Sequence, residues 1–303
     1  MRLWPWQARR PKPGFVLALG GGGGRGLAHI GVFEVLERYA LRPDLIVGTS
    51  IGALFGAMYA LRPEAAWMRR EVLTFLASDR FSRLDLPVIK GAEPDESWLS
   101  RFVTIAKQTV MYTRAATDVA LADVEALYDV ARLFTRNADF AALRIPLHLT
   151  AVEFPGGECR VFSRKDGVPL DLAIAASMAI PGVFEPVPVA GSHYVDGGLA
   201  SEIPAREARM LAEGGQLVVA VNVGARPRAG EPPSNVYGML DWASQIKSLY
   251  LRRYEKQYAD VLIEPLVAYT QWHDFSHPEQ EIAKGAQATE QVLPQLLAAL
   301  GRA

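Results

Sequence analysis

Residues 20–24 are an unbroken run of glycine (GGGGG), followed by Arg25 and Gly26 and preceded by the apolar pentad FVLAL at 15–19. Residues without a Cβ bury no side chain and hold no helix or strand in place, but they tolerate positive φ and let the backbone approach a neighbour closely. The run is therefore a turn. The pentad before it is too short for a helix and is bounded by glycine, so it reads as a buried strand. After it, Leu27, Ile30, Val32, Phe33 and Leu36 recur at helical spacing across 26–38. A second unit of the same kind follows: a short apolar strand at 45–47, then a small-residue helix at 51–60, with a proline-opened helix at 63–77. Strand and helix alternating in this order predict an α/β fold with a mostly parallel sheet and covering helices.

Further strands are expected at 147–152, 159–163, 193–195, 217–221 and 261–263, and helices at 172–178, 204–212, 237–258 and 279–299. Residues 91–137 carry helical spacing without a strand pattern and read as an inserted helical cap. The stripe Trp98, Leu99, Phe102, Val103, Ala106, Val110 and Met111 fits either a helix packed on the core or a lid. One domain is expected from about residue 14 to 303.

Three motifs could carry chemistry. In the glycine run, free N–H groups ahead of a helix form an anion site, for a phosphate or a transient oxyanion. Gly21, Gly23 and Gly26 match the dinucleotide spacing formally. The acid that such a site needs at the end of the second strand is absent, because Asp44 precedes that strand and Gly48, Thr49 and Ser50 end it. The second motif is Gly48-Thr49-Ser50-Ile51-Gly52, a G-x-S-x-G between a strand and a helix, the setting of a nucleophilic serine. A helix-capping serine fits the same letters. The third is Asp196-Gly197-Gly198 at a strand end, where a carboxylate can approach another backbone; an ordinary turn also fits.

A nucleophilic serine needs a base. Of the five histidines, His29 sits on an apolar helix face, His148 inside a strand and His193 at a strand start. His273 and His277 come late enough in the chain to complete a Ser-His-Asp triad.

Composition narrows the function classes. There are 32 Lys+Arg against 33 Asp+Glu, a balance that argues against a nucleic-acid binder. Residues 1–13 carry Arg2, Arg9, Arg10 and Lys12 and no acid, so a +4 leader precedes a body of −5. Pro5, Gln7 and Arg9 interrupt any signal-peptide core, and the leader reads as a disordered tail or, through Trp4 and Trp6, as a surface anchor. The longest uncharged run, seventeen residues at 45–61, is short and glycine-bearing for a membrane span. Lys247, Arg252, Arg253 and Lys256 lie on or near one face of the 237–258 helix, as a solvated face or an anionic-membrane contact. The single Cys159 excludes an internal disulfide, and no metal-ligand spacing is present. A cytoplasmic location is expected, with peripheral residence at the inner membrane surface left open.

The three motifs in this order resemble the patatin-like phospholipase family, in its bacterial, neuropathy-target-esterase-like branch. The resemblance runs from about residue 15 to 285. It is carried by Gly21 to Gly26, Gly48 to Gly52, Asp196 to Gly198, the stretch AIAASMAIPGVF at 173–184, and GLAHIGV at 26–32. It implies a three-layer α/β/α fold and a serine lipid acyl hydrolase. Ser50 would be the nucleophile and Asp196 its partner in a dyad without histidine. Gly21, Gly22, Gly23, Gly24 and Arg25 would form the oxyanion hole, supported by Gly48, Gly52, Gly197 and Gly198. The implied chemistry needs no cofactor or metal and takes a fatty-acyl ester or phospholipid. A regulatory protein that keeps this fold, and a Ser-His-Asp esterase, are the competing readings.

Overall fold

In the computed structural model, residues 14–82, 120, 124–225, 232–233, 235–267 and 273–302 are described. The expected leader at 1–13 and most of the expected cap, 91–119 and 121–123, lie outside them. Eight strands, β1 (Phe15–Leu19), β2 (Leu45–Thr49), β3 (Leu147–Phe154), β4 (Cys159–Phe162), β5 (Val187–Val189), β6 (Ser192–Asp196), β7 (Leu217–Val221) and β8 (Val261–Ile263), form one sheet. The helices are α1 (Ala28–Arg38), α2 (Ile51–Leu61), α3 (Ala65–Leu76), α4 (Asp79–Ser82), α5 (Glu125–Thr135), α6 (Leu170–Met178), α7 (Ala205–Leu211), α8 (Val236–Glu255) and α9 (Pro278–Ala299). The glycine run leads into α1 through a 3-10 turn at Gly23–Leu27.

Strand β1 explains why the pentad is apolar throughout. Phe15, Leu17 and Leu19 face one core, with α1, α2 and α9, while Val16 and Ala18 face a second core shared with Ala205 and Ala208 of α7. Both faces of the sheet are covered, so the alternation that marks a half-exposed strand is lost. β1 pairs in parallel with β2 and β7, β2 with β3, and β7 with β8. β4 and β6 run antiparallel to β3, and β5 to β6. The short β5, with Pro188 at its centre, carries too little pattern to be seen in the sequence.

The register of β3 fixes where two strand ends meet. Leu149 and Thr150 pair with both β2 and β4, and Ala151 and Val152 with both β4 and β6. A strand has two edges, so β2 and β6 share one edge of β3 and β4 takes the other. β2 reaches Thr150 with Thr49 as its last residue, and β6 arrives from the opposite direction with Asp196 against Ala151. The two strands thus point at each other, carboxyl end to carboxyl end.

Of the expected cap, the described α5 packs through Leu127, Tyr128, Ala131 and Phe134. Helix α8 departs from expectation. Arg252, expected with the outer cations, is buried and donates to Glu202 Oε1 at 2.5 Å and to the Ala225 carbonyl.

Helices α1 and α9 cross at backbone contact. A Cβ on Gly31 would stand 1.9 Å from the Ile282 oxygen, and one on Gly285 1.9 Å from the Ala28 oxygen. Helix propensity alone favours Gly285→Ala by about 1 kcal/mol. The contact reverses the sign: Gly285→Ala is expected to lose about 3 kcal/mol of stability in urea denaturation. A gain in stability would remove this crossing as a constraint.

Candidate active site

Ser50 is the residue between β2 and α2, and its backbone is left-handed, with φ 55° and ψ −124°. A non-glycine residue in this region costs about 1–3 kcal/mol, which surrounding contacts must offset. Here the flanking glycines remove the obstacles. A Cβ on Gly48 would lie 2.6 Å from the Gly52 oxygen, and one on Gly52 2.2 Å from the Leu19 oxygen. The Ser50 N–H also donates to Ser177 Oγ of α6 at 2.9 Å. Ser177 was not among the expected site residues, and a serine within an apolar helix carries no local signal of this role.

Ser50 Oγ donates to Asp196 Oδ2 at 2.6 Å across 146 positions of sequence. The other carboxylate oxygen accepts the Gly198 N–H at 2.7 Å. Gly197 is needed because a Cβ there would stand 2.3 Å from Thr150 Oγ1. Beneath the pair, Thr49 Oγ1 and Thr150 Oγ1 share a hydrogen bond of 2.6 Å that ties β2 to β3. Asp196 is buried, and desolvation pushes its carboxyl up to about 6 although the bonds from Ser50 and Gly198 oppose the rise. It is ionised at neutral pH and more basic than an ordinary aspartate.

The glycine run lies against this pair, but its amides are not equivalent. Gly20 N–H donates to the Val221 carbonyl at 3.1 Å and Gly21 N–H to the Glu202 carbonyl at 2.9 Å. This corrects the expectation for Gly21. Its amide is taken, and its contribution is closeness, since a Cβ there would stand 3.2 Å from Ser50 Cβ. Gly22, Gly23 and Gly24 lead the 3-10 turn, where N–H groups have no intrahelical acceptor. Arg25 is buried, and its Nε donates to the Val223 carbonyl at 2.8 Å, tying the loop to the exit of β7. Burial lowers the guanidinium to about 10, so it keeps its charge.

His29 is also part of this support. It is fully buried, its Nε2 lies 2.9 Å from the Gly20 carbonyl, and desolvation lowers it to about 4. It is thus a neutral imidazole whose Nε2–H holds the glycine run. The sequence suggested only a packing residue. His148 lies in β3 and His193 in β6, while His273 and His277 flank Phe275. The bonds to the Ser50 and Asp196 side chains described above involve no histidine.

Ser50 and Gly23 line a cleft that is partly open to solvent. Its walls are apolar, from α2, α3, α5 and Phe275. Phe75 stacks edge-on with Phe81 and Phe134, and Phe81 with Phe275, at ring separations of 5.2–5.6 Å. The cleft suits a hydrocarbon chain with its polar end at Ser50.

The family model for patatin-like phospholipases matches residues 17–209, which include Ser50 and Asp196. The chain belongs to this family, and its relatives include proteins of the neuropathy-target-esterase group. Human patatin-like phospholipase domain-containing protein 6 is 31% identical over 212 residues, which is 69% of this chain and 13% of that protein. Lysophospholipase NTE1 of Yarrowia lipolytica is 28% identical over 209 residues, 69% of this chain and 12% of that one. An uncharacterised NTE family protein of Mycobacterium bovis is 31% identical over 195 residues, 63% of this chain and 44% of that one. The chain therefore spans about an eighth of the length of the first two relatives. Among solved structures, human GIVD cytosolic phospholipase A2 matches with a TM-score of 0.53 and 10% identity, over 96% of this chain and 60% of that one. VipD from Legionella pneumophila matches with a TM-score of 0.50 and 16% identity, over 94% and 67%. These two share the fold.

Because the folded state prefers Asp196 as the neutral acid, its contribution to stability is whole below the ordinary carboxylate range and is lost as pH rises through about 6. The ionised group costs on the order of 3 kcal/mol. Asp196→Asn is therefore expected to melt higher than the parent above pH about 6, with the difference shrinking in acid. Calorimetry across this range checks it.

Proposed function

We propose that this chain is a serine lipid acyl hydrolase of the phospholipase, lysophospholipase or carboxylesterase type, working through a Ser50–Asp196 dyad. The observation that carries the reading is the 2.6 Å bond to a buried, basic carboxylate from a strained serine that lines an apolar cleft. Family membership supports the same substrate class.

In the proposed reaction the Asp196 carboxylate takes the Ser50 proton as Oγ attacks the ester carbonyl carbon. Negative charge then gathers on the carbonyl oxygen, facing the N–H groups of Gly22, Gly23 and Gly24. A donor of this kind contributes about 3–4 kcal/mol to the transition state. The tetrahedral species collapses, the alcohol leaves with the proton from Asp196, and the acyl group remains on Ser50. Water, deprotonated by Asp196, attacks the acyl-enzyme; the carboxylic acid is released as Asp196 returns the proton to Ser50 Oγ. Arg25 and His29 hold the glycine loop in place. Arg25 also keeps a positive potential behind the oxyanion, and no step needs a metal or cofactor. The acyl chain lies in the cleft lined by Leu54, Phe55, Phe75 and Phe134.

Labelling by a fluorophosphonate probe is expected in the parent and absent in Ser50→Ala, with ester hydrolysis falling at least about thousandfold. His273→Ala and His277→Ala are expected to retain most activity; a large loss in either favours a Ser-His-Asp triad. A labelled parent without hydrolysis of any acyl ester favours a regulatory role. The kcat/KM profile is expected to rise through pH about 6, as Asp196 ionises.

A further inference from the structure

Helix α8 buries two charges and exposes a row of large apolar side chains, while Ala243, Ile246, Leu249 and Leu251 are half-buried. Among its described residues only Arg252 and Glu255 are buried, and both are charged. Its outer face carries Val236, Met239, Leu240, Lys247, Tyr250 and Tyr254, which follow i, i+3, i+4, i+11, i+14 and i+18 and so lie in one stripe. Val236 is 78% exposed and Leu240 66%, with Trp242 exposed beside them. A contiguous stripe of large exposed apolar side chains marks a surface that meets something other than water.

The charges describe the occupant. Lys247 lies on the stripe and Arg253 at its edge, with the Arg253 guanidinium 5.0 Å from the Tyr250 ring centre. The exposed acid of the helix, Asp241, lies off the stripe and accepts from Gln245 at 2.7 Å. An apolar and aromatic stripe along one face, with a lysine in it and an arginine beside it, is the pattern of a helix lying in a lipid–water interface. It does not span: no helix among the described residues is long and apolar enough to cross a membrane.

The inner face ties the stripe to the site. Arg252 bonds Glu202, whose carbonyl accepts the Gly21 N–H, and Glu255 accepts the Ile203 N–H at 2.8 Å. The last turn of α8 is thus bonded to the segment that holds the glycine loop. The remaining sixteen residues, 236–251, run about 24 Å from that anchor.

We propose that the outer stripe of α8 docks the protein onto an anionic phospholipid bilayer and holds the cleft at the source of its substrate. The substrate half of this statement rests on the lipid-hydrolase reading; the docking half does not. The test is flotation of the full chain, carrying Ser50→Ala so that the lipid survives, with vesicles of phosphatidylcholine containing phosphatidylglycerol and with phosphatidylcholine alone. The expected result is binding to the anionic vesicles that falls at least about tenfold in Met239→Gln/Leu240→Gln. Lys247→Ala/Arg253→Ala is expected to bring anionic vesicles down towards the level of phosphatidylcholine alone. Both pairs are exposed, and an unchanged melting temperature checks that the fold is kept. With Ser50 restored, the first double variant should lose about tenfold more activity on vesicle lipid than on a monomeric ester. Equal flotation of parent and double variants overturns the proposal. So does a parent dimer that Met239→Gln/Leu240→Gln splits, since the occupant is then a second copy. Vesicle binding without hydrolysis by the wild-type chain leaves docking standing and removes the hydrolase reading, whereas hydrolysis of monomeric ester without binding does the reverse.

Discussion

Strands β2 and β6 compete for the same edge of β3, and neither can extend past the other. The sheet resolves this by ending both strands where they meet, between Thr150 and Ala151. The residue after one end is Ser50 and the residue at the other is Asp196. Their 2.6 Å bond is therefore set by strand register, with no loop to adjust it. The cis-acting supports follow from the same meeting. Gly197 has no side chain because Thr150 occupies its space, and the Thr49–Thr150 bond holds β2 in register with β3.

The cost of this arrangement is borne locally. Ser50 is held in a left-handed conformation, Asp196 is ionised in a place that disfavours charge, and the amides heading the glycine turn have no helix partner. Each is a destabilised group aimed at one small volume. The surrounding core is close-packed: backbone-contact crossing of α1 and α9, a fully buried β1, and His29 and Arg25 bonded to the Gly20 and Val223 carbonyls. Helix α8 extends this logic outward, because Arg252 and Glu255 hold it to the loop segment while Val236, Met239, Leu240, Tyr250 and Tyr254 are left exposed.

Local pattern carried most of the architecture. The apolar pentad, the glycine run and the helical spacing after it are short-range features, and the first strand appears at the residues the pattern marks. The G-x-S-x-G elbow was legible as a short motif between a strand and a helix, although only Gly48 answers to neighbours a few positions away; Gly52 answers to the Leu19 carbonyl of β1. Beyond such distances the pattern faded. Ser177 and His29 look like packing residues because their partners, the Ser50 amide and the Gly20 carbonyl, are backbone groups with no signature. Arg252 looked like a surface cation because a helix wheel assumes that charge faces water.

The sequence by itself determined the strand–turn–helix units, the serine at the strand-to-helix turn and the glycine loop, since these depend on side-chain size and on period over a few residues. The family followed from the order of three motifs. Only the tertiary structure decided that Asp196 reaches Ser50, that burial raises its carboxyl, that Gly21 gives its amide to Glu202, and that α8 buries Arg252 and Glu255. Each of these depends on which segments share a sheet edge and on how much water they exclude. Those are properties of neighbours far apart in the chain, and no local window contains them.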